Sequence, residues 1–188
     1  MGTTEELLRI LSGMRSGFNG RRCGEHAMQS FKGRDVVVRH TEKEDIELVA
    51  QKMRWSDVRD AKDGLGLTPH DVLATGFSNS WRSWTITVNE SPGAMFGVGK
   101  AREEYAFGVF WYYATHLMDR DCDSVWRMLS GEYFREIHKY FSTIGNLFAC
   151  RHTRNLEMLR QMGFVRQYEY VNRQSGVPFV FMIRDGHN

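Results

Sequence analysis

The sequence predicts an α/β protein of the α+β type, and three observations lead to this fold class. Segments with strand patterns and segments with helical patterns alternate along residues 35–184. One segment, YAFGVFWYYATH (105–116), is long and nearly all apolar, which is typical of a central strand covered on both faces. Two further strands, WRSWTITV (81–88) and AMFGVGKA (94–101), are separated by the turn formers NESPG, which predicts a hairpin.

A strand and two helices are predicted before this hairpin. DVVVRH, residues 35–40, is rich in the β-branched residues that favour strands. TEKEDIELVAQKMR, residues 41–54, predicts a helix, because it opens with a capping box and places its apolar side chains on one face. TPHDVLATGF, residues 68–77, predicts a second helix that Thr68 caps and Pro69 opens.

Two helices and three strands are predicted after the central strand. Residues 124–143 repeat apolar side chains every three or four positions, which predicts a long helix. A strand (147–151), a short helix (153–162) and two final strands (165–171 and 178–184) follow. The predicted order is therefore β-α-α-β-β-β-α-β-α-β-β.

Residues 1–34 differ from the rest of the chain, because glycines and basic residues are scattered through them. Their few apolar side chains offset little of the entropy cost of ordering. We therefore predict two parts: a docking arm over residues 1–34, which orders against a protein partner, and a domain over residues 35–188.

The overall composition excludes several classes of protein. The 188 residues contain 25 basic and 23 acidic side chains, a balance that gives no strong nucleic-acid signal. No run of 18 apolar residues exists, so no membrane span is predicted. The first residues lack the signal-peptide pattern and the three cysteines are far apart, which predicts reduced thiols in a cytoplasm.

One motif resembles a known family. HTRNLEMLRQMGF, residues 152–164, is similar to the pattern N-x-x-S-I-x-L-L-x-K-x-G-F of GCN5-related N-acetyltransferases (GNAT), with Gly163 at the end of the helix. Together with the element order, the resemblance covers residues 35–184. It implies a GNAT-like mixed, mostly antiparallel central sheet of about seven strands flanked by helices.

A narrower resemblance concerns proteins of short-tailed bacteriophages. The segments 123–141 and 146–164, with the Trp- and Tyr-rich central strand, are similar to acetyltransferase-like proteins of these phages, which include internal virion proteins. This resemblance implies protein partners in a phage assembly and a location in the host bacterial cytoplasm, in the virion, or in both.

The GNAT resemblance also implies a pyrophosphate loop of the form Arg or Gln, two residues, Gly, one residue, Gly or Ala. The corresponding segment, DRDCDSVWRMLSGEYF, contains only Gly131, and its aspartates would repel phosphate. The cofactor-binding candidates are therefore Gly131, Arg120 and Arg127, since arginine binds phosphate in bidentate fashion, together with Asn155 of the helical motif. Ordinary acetyl-CoA binding is not expected, and any affinity should be weaker than about 1 mM.

The catalytic candidates are a histidine and two tyrosines. His116 ends the central strand and is the best-placed general base, because its ordinary pKa lies near neutrality. The family's thiolate-protonating tyrosine falls at Leu159, which has no proton to give. Tyr168 and Tyr170 lie two positions apart on the next strand, so they share a face and are candidates to replace it.

Two further patterns carry weaker signals. Cys150 and His152 have the spacing of a nucleophile and base only if the strand persists through residue 152. Cys23 and His26 have metal-ligand spacing, but no matching pair follows, so no metal is predicted.

Two hypotheses of function follow from these patterns. The main one is a phage-encoded GNAT-fold protein that acts as a virion-associated or protein-binding module, with a degraded acetyl-CoA site and no cofactor. The alternative is an acetyl-CoA-dependent N-acetyltransferase that acts on an amine of a host protein or small molecule.

Overall fold

A computed structural model describes residues 27–31, 33–101, 106–118 and 120–186. Its element order confirms the predicted α/β class. The elements are β1 (Ala27–Phe31), β2 (Arg34–His40), α1 (Lys43–Gln51), α2 (Trp55–Leu65), α3 (Pro69–Asn79), β3 (Ser80–Val88), β4 (Ser91–Lys100), β5 (Phe107–Ala114), α4 (Arg120–Ile137), β6 (Thr143–Ala149), α5 (Thr153–Gln161), β7 (Val165–Val171) and β8 (Pro178–Asp185).

The strands form one eight-stranded sheet in the order β1-β2-β3-β4-β5-β6-β8-β7. All neighbouring strands are antiparallel except β5 and β6, which run parallel. The predicted mixed, mostly antiparallel sheet is therefore confirmed, with β1 added to the seven strands that the sequence indicates.

The sheet begins earlier in the chain than predicted. Strand β1 lies inside the predicted arm of residues 1–34, and it pairs with β2 from Ala27↔Val38 to Phe31↔Arg34. Residues 27–31 of the predicted arm therefore belong to the sheet of the domain. The rest of the predicted arm, residues 1–26, lies outside the described residues.

The two predicted helices before β3 are present, with one change in how they begin. Thr68 caps α3 as predicted, since its hydroxyl accepts a hydrogen bond from the backbone N–H of Asp71 at 3.2 Å. Helix α1 is capped one residue later than predicted: Glu42 and Asp45 form the capping box. This correction is small, because cap positions shift easily by one residue.

Helix α2 has no counterpart among the predicted elements. Its segment, WSDVRDAKDGL, is mostly polar and buries only Asp57 and Ala61 fully. A helical apolar stripe is therefore hard to see. The helix ends at Gly66, whose φ of +70° places it in the left-handed conformation that favours glycine at a helix end.

The helices cover both faces of the sheet, because the apolar strand residues alternate between two cores. On one face, α1, α2 and α3 pack over Met95 and Trp111. On the other face, α4 and α5 pack over Phe96 and Phe110, with Trp126 of α4 fully buried among them. Among the described residues, no helix has the length and apolarity needed to cross a membrane.

Candidate active site at the gap between β5 and β6

The two parallel strands separate after a short ladder. They pair at three positions, from Phe107↔Thr143 to Val109↔Gly145. After these positions, a side chain replaces the backbone hydrogen bonds between the two strands. The amide nitrogen of Asn146 donates to the carbonyl of Phe110 at 2.9 Å, and the Asn146 side-chain oxygen accepts from the N–H of Leu147 at 2.7 Å. Beyond these residues a gap opens in the sheet. Backbone groups alternate along a strand, so the N–H of Tyr112 points to the same side as the Phe110 carbonyl, into this gap.

Helix α2 crosses the gap and is tied to both of its edges. On the β5 edge, Asp57 accepts from the N–H of Ala114 at 2.8 Å, and the N–H of Arg54 donates to the Ala114 carbonyl at 2.8 Å. On the β6 edge, Asp60 accepts from Arg151 Nη2 at 2.8 Å.

A third contact ties the end of α2 to the turn between β7 and β8. The side-chain amide of Asn172 donates to the carbonyl of Gly64 at 3.3 Å, and its oxygen accepts from the N–H of Gln174 at 2.9 Å. Helix α2 therefore links the sheet across its break, and it positions its polar side chains over the gap.

A cavity of about 650 Å³ occupies this region. Such a volume lies within the usual range for small-molecule sites. The cavity is bounded by α2, α3, the separated ends of β5 and β6, and the β7–β8 turn. Its lining residues include Asp57, Asp60, Trp111, Tyr113, Tyr170 and Phe179.

The indole of Trp111 forms a rigid part of the cavity lining. Its Nε1–H donates to Ser80 at 2.8 Å, and Ser80 in turn donates to the carbonyl of Gly76 at 2.7 Å. A Cβ atom added at Gly76 or at Gly97 would lie 2.9 Å from the indole ring. The ring therefore lies between two backbone segments that can approach it only because these residues are glycines.

The carboxylate of Asp57 is buried and fully bonded. The residue is 3% exposed, and Oδ2 accepts from Ala114 N–H and from Arg54 Nη2 at 3.0 Å. Oδ1 accepts from the hydroxyl of Ser56 at 2.9 Å. Asp57 therefore has a structural role, since a buried carboxylate is stable only when it is bonded in this way.

The carboxylate of Asp60 is different, because its bonds use one oxygen. Oδ1 accepts from Arg151 and lies 3.1 Å from Nε2 of His152, whereas Oδ2 accepts no hydrogen bond from the described residues. Burial raises the pKa of Asp60, and nearby Asp57 adds to this; His152 and Arg151 lower the pKa by less. Asp60 thus brings a carboxylate with a raised pKa and a spare oxygen to the cavity, as acid–base chemistry requires.

Tyr113 lies beside these two carboxylates in the cavity lining. Burial raises the pKa of its phenol far above the ordinary value, and the charges of Asp57 and Asp60 raise it further. The phenol therefore stays protonated at physiological pH, where it can donate a hydrogen bond but cannot act as a base.

The structure separates the three predicted catalytic residues. Tyr170 is half-buried and lines the cavity. Tyr168 lies on the same face of β7 but packs on Phe181 at a ring distance of 5.2 Å, away from the cavity lining. His116 lies in the turn after β5, exposed and outside the cavity lining. The predicted tyrosine pair therefore shares a face, but only one member reaches the cavity.

The predicted cofactor-binding residues are also dispersed. Asn155, in the first turn of α5, lines the cavity. Arg127 is exposed and donates to the side chain of Gln161, which joins α4 to α5. Gly131 lies in the body of α4, exposed and with open space around it, rather than in a loop. Arg120 opens α4, and its side chain lies outside the described part of the chain.

Backbone N–H groups in the connection from β5 to α4 donate hydrogen bonds to oxygens of the protein itself. The N–H of Thr115 donates to the Gly93 carbonyl at 2.8 Å, and the N–H of Met118 donates to the Thr115 carbonyl at 3.2 Å. The N–H of Leu117 donates to the Thr115 hydroxyl at 3.2 Å. These three N–H groups are therefore not directed at a phosphate, in agreement with the missing glycine pattern.

The remaining sequence patterns have clear outcomes. Leu159 is 2% exposed and belongs to the core beneath α5. Cys150 follows the end of β6 and is half-buried, and burial raises the pKa of its thiol. The strand does not persist through residue 152, as a Cys150–His152 pair would require, because β6 ends at Ala149; His152 is the N-cap residue of α5 and contacts Asp60. Cys23 and His26 lie outside the described residues, among which no cluster suited to a metal ion occurs.

Sequence reasoning missed Asp57, Asp60 and the whole crossing of the gap, because it missed α2. A signal was present in the segment itself. Trp55, Val58 and Ala61 recur at helical spacing, and Asp57 and Asp60 lie three residues apart, as neighbours on a helix do.

Several solved structures are similar to this chain. The ribosomal-protein-S18-alanine N-acetyltransferase of Escherichia coli superimposes with a TM-score of 0.58 at 12% identity, over 80% of this chain and 93% of that one. The spermidine N-acetyltransferase of Vibrio cholerae, in complex with CoA and spermine, gives 0.61 at 11% identity, over 81% and 96%. A GCN5-related N-acetyltransferase from Kribbella flavida gives 0.60 at 12% identity, over 80% and 97%.

These likenesses show the fold and no more, because the identities are low. No protein-family model matches the sequence, and no curated protein is significantly similar to it. The fold is that of the GCN5-related N-acetyltransferases, as the sequence resemblance implied.

Proposed function

We propose that this protein transfers an acyl group from an acyl-CoA thioester, acetyl-CoA in the simplest case, to an amine that binds in the cavity. The observation that carries the proposal is the position of Asp60. Asp60 has a spare carboxylate oxygen, and the residue lines a cavity of about 650 Å³ at the break between the two parallel strands. The likeness to N-acetyltransferases, including one solved with CoA and spermine, supports the same reaction class.

Asp60 would act as the general base. An amine attacks a thioester only after it loses a proton, and a carboxylate whose pKa is raised toward neutrality accepts that proton best. Arg151 and His152 hold the other oxygen, so Asp60 keeps its orientation. Asp60 thereby takes the role that the sequence assigned to His116.

Two further groups at the cavity would take part in acyl transfer. The N–H of Tyr112 would polarise the carbonyl and stabilise the negative charge that develops on its oxygen. Tyr170 would give its phenolic proton to the sulfur as the C–S bond breaks and the new C–N bond forms. Acyl-CoA supplies the activated acyl group, and the protein's own residues move the two protons.

The structure fits acyl-CoA at its thioester end better than at its pyrophosphate end. The cavity lies at the gap, beside the backbone of Tyr112, whereas the three N–H groups at residues 115, 117 and 118 donate hydrogen bonds within the protein. The first turn of α4 remains for the pyrophosphate, since helix N-termini attract anions. We therefore expect weak affinity for acyl-CoA, so assays need millimolar concentrations.

The test is release of free CoA thiol from acetyl-CoA in the presence of a panel of small primary amines. Wild-type protein should release thiol in an amine-dependent manner. Asp60→Asn should lower the rate about 100-fold, a typical loss for a general base. Asp63→Asn is the matched control, because Asp63 also binds Arg151, at 2.7 Å, but does not line the cavity.

The tyrosine assignment has its own matched pair. Tyr170→Phe should slow thiol release, whereas Tyr168→Phe, on the same face of the same strand, should leave it unchanged. If Tyr170→Phe and Tyr168→Phe slow thiol release equally, Tyr170 is not the proton donor. If Asp60→Asn and Asp63→Asn slow it equally, Asp60 is not the general base. Absence of amine-dependent thiol release with every amine would refute acyl transfer to small amines.

A second candidate is a protein-binding module without transfer chemistry, as in a phage assembly. Two observations favour it: Leu159 is a core residue where the family places a proton donor, and Gly131 lies in a helix where the family places a glycine loop. The phage assignment rests on the sequence resemblance of residues 123–141 and 146–164. Complete inactivity with acetyl-CoA, together with capture of a defined virion protein, would support this candidate.

A further inference from the structure

We propose that the cavity selects a small monocation with a flat aromatic body: a primary aralkylamine whose ring lies against Trp111 and whose ammonium pairs with Asp60. This inference rests on the proposed function for its role as acyl acceptor, but it is a statement about binding. It can be tested without any acyl-CoA.

The shape of the lining favours a flat ring. Six aromatic residues line the cavity: Trp111, Tyr112, Tyr113, Phe148, Tyr170 and Phe179, of which Tyr112 and Phe148 pack their rings against the core beneath α4 and α5. The indole of Trp111 is held in place by Ser80 and by close approach of Gly76 and Gly97. Because this surface does not need to reorganise when a ring binds, little affinity is lost to ordering side chains.

A third glycine brings helix α2 close to a second aromatic ring. A Cβ atom at Gly64 would lie 3.3 Å from the ring of Phe179, which is 5% exposed. Two helices therefore hold rings of the aromatic lining in place: α2 contacts Phe179 at Gly64, and α3 contacts Trp111 at Gly76. Because these contacts leave Trp111 only 8% and Phe179 only 5% exposed, a planar ligand meets the edges of the two rings, in the edge-to-face geometry that aromatic pairs favour.

The charge of the lining favours a cation at one end. Among the described lining residues, the charged ones are Asp57, Asp60 and Arg173. Asp57 is bonded at both oxygens, so it has little capacity for a ligand. Asp60 keeps one oxygen for a further donor, and an ammonium group supplies that donor with the opposite charge. Aromatic faces attract the same cation, which adds to the pairing.

The size and closure of the cavity favour a small molecule over a protein segment. Helix α2 is tied across the gap on three sides, by Ala114, Arg151 and Asn172. A volume of about 650 Å³ accommodates a bicyclic amine with room for an acyl group, whereas a protein loop needs an open groove.

Calorimetry on the full chain, in the absence of CoA, tests the proposal by measuring the affinities of ligands that share a phenyl ring and differ in charge. Phenethylamine supplies the cation, 2-phenylethanol the neutral isostere and 3-phenylpropanoate the anion. Tryptamine extends the ring, and spermidine supplies charge without a ring. We expect phenethylamine to bind at least 10-fold more tightly than 2-phenylethanol, tryptamine more tightly still, and both spermidine and the anion more weakly.

Variants then locate the site. Asp60→Asn should lower the affinity for tryptamine about 10-fold, to that of its neutral analogue, and Asp63→Asn should leave it unchanged. Gly76→Ala should lower the affinity for both tryptamine and 2-phenylethanol, because it displaces the indole that both rings contact. Circular dichroism and thermal melting of each variant separate loss of the site from loss of the fold.

Every outcome decides between the proposal and an alternative. Equal affinity for cation, neutral isostere and anion would overturn the role of Asp60, and tighter binding of spermidine would overturn the aromatic requirement. Tight tryptamine binding that is insensitive to both Asp60→Asn and Gly76→Ala would place the ligand elsewhere. Selective amine binding without thiol release from acetyl-CoA would sustain this inference while refuting the proposed transferase activity.

Discussion

Two aspartates on the same side of the sheet, Asp45 and Asp60, are each paired with an arginine, yet their environments differ. Asp45 is 2% exposed and accepts from Arg39 with both oxygens at 2.7 Å, from Thr85 at 2.7 Å and from the N–H of Glu42 at 2.9 Å. Asp60 is bonded through one oxygen only among the described residues, and it lines the cavity.

The pKa of each carboxyl follows from this difference. Burial alone would raise the pKa of Asp45, but the hydrogen bonds from Arg39, Thr85 and Glu42 together lower it below the ordinary value of 3.8. At Asp60 the balance is reversed, and burial raises the pKa. A paired carboxylate is therefore structural when its hydrogen bonds are complete, and it is available for chemistry when they are not.

The largest effect is expected when Asp45 is removed. Asp45→Ala should lower the free energy of unfolding by about 3 kcal/mol, because it leaves a partly buried arginine without its carboxylate and removes the cap of α1. Urea denaturation followed by circular dichroism measures this loss. A loss as small as that of Asp60→Ala would show that the number of hydrogen bonds does not distinguish the two sites.

Removal of each arginine sharpens the same comparison. Arg39→Gln should cost about 2 kcal/mol of unfolding free energy, because Asp45 is almost fully buried and loses two charge-assisted hydrogen bonds. Arg151→Gln should cost less than about 1 kcal/mol, because Asp60 keeps His152 and some contact with water. Equal losses of unfolding free energy for Arg39→Gln and Arg151→Gln would show that the contact with His152 does not stabilise Asp60 once Arg151 is removed.

The smallest effect lies in the pH dependence, where the two sites should have opposite signs. The folded-state pKa of Asp45 is lowered, so its contribution to stability is full above pH 3.8 and is lost as the pH falls through the lowered value. The folded-state pKa of Asp60 is raised, so its contribution is present below pH 3.8 and is lost as the pH rises through the raised value.

Substitution by asparagine should reveal these slopes. Between about pH 3 and 6, Asp45→Asn should lose part of the wild-type increase of stability with pH, whereas Asp60→Asn should show a steeper increase than wild type. Urea midpoints measured across this range provide the data. Parallel curves for wild type and Asp60→Asn would mean that the pKa of Asp60 is the same in the folded and unfolded states.

Much of the fold could be predicted from the sequence, because most elements carry strong local signals. The hairpin of β3 and β4 has turn formers between two apolar strands, and α3 has both its cap and its proline. Strand β1 was missed because AMQSF has no alternating pattern and lies beside a glycine-rich segment.

The candidate site could be predicted only in part. Tyr170 and Asn155 are predicted from recognisable strand and helix patterns, and both line the cavity, although lining it does not test their roles. Asp60 was missed because its role depends on Arg151, far along the chain, and on a helix whose composition is mostly polar. The spare oxygen that makes Asp60 a candidate base is a property of three-dimensional bonding, which no local pattern contains.

The crossing of the gap by α2 also has a consequence for the order in which the site is assembled. Asp60 is 91 residues from Arg151, and Gly64 is 108 residues from Asn172. During synthesis, α2 and β5 therefore leave the ribosome well before the segments that complete the cavity. Contacts between such distant residues form late, because a long loop must close first. We expect a chain that ends before β7 to keep the β2–β5 half of the sheet, and to gain amine binding only when the last hairpin is supplied as a separate peptide.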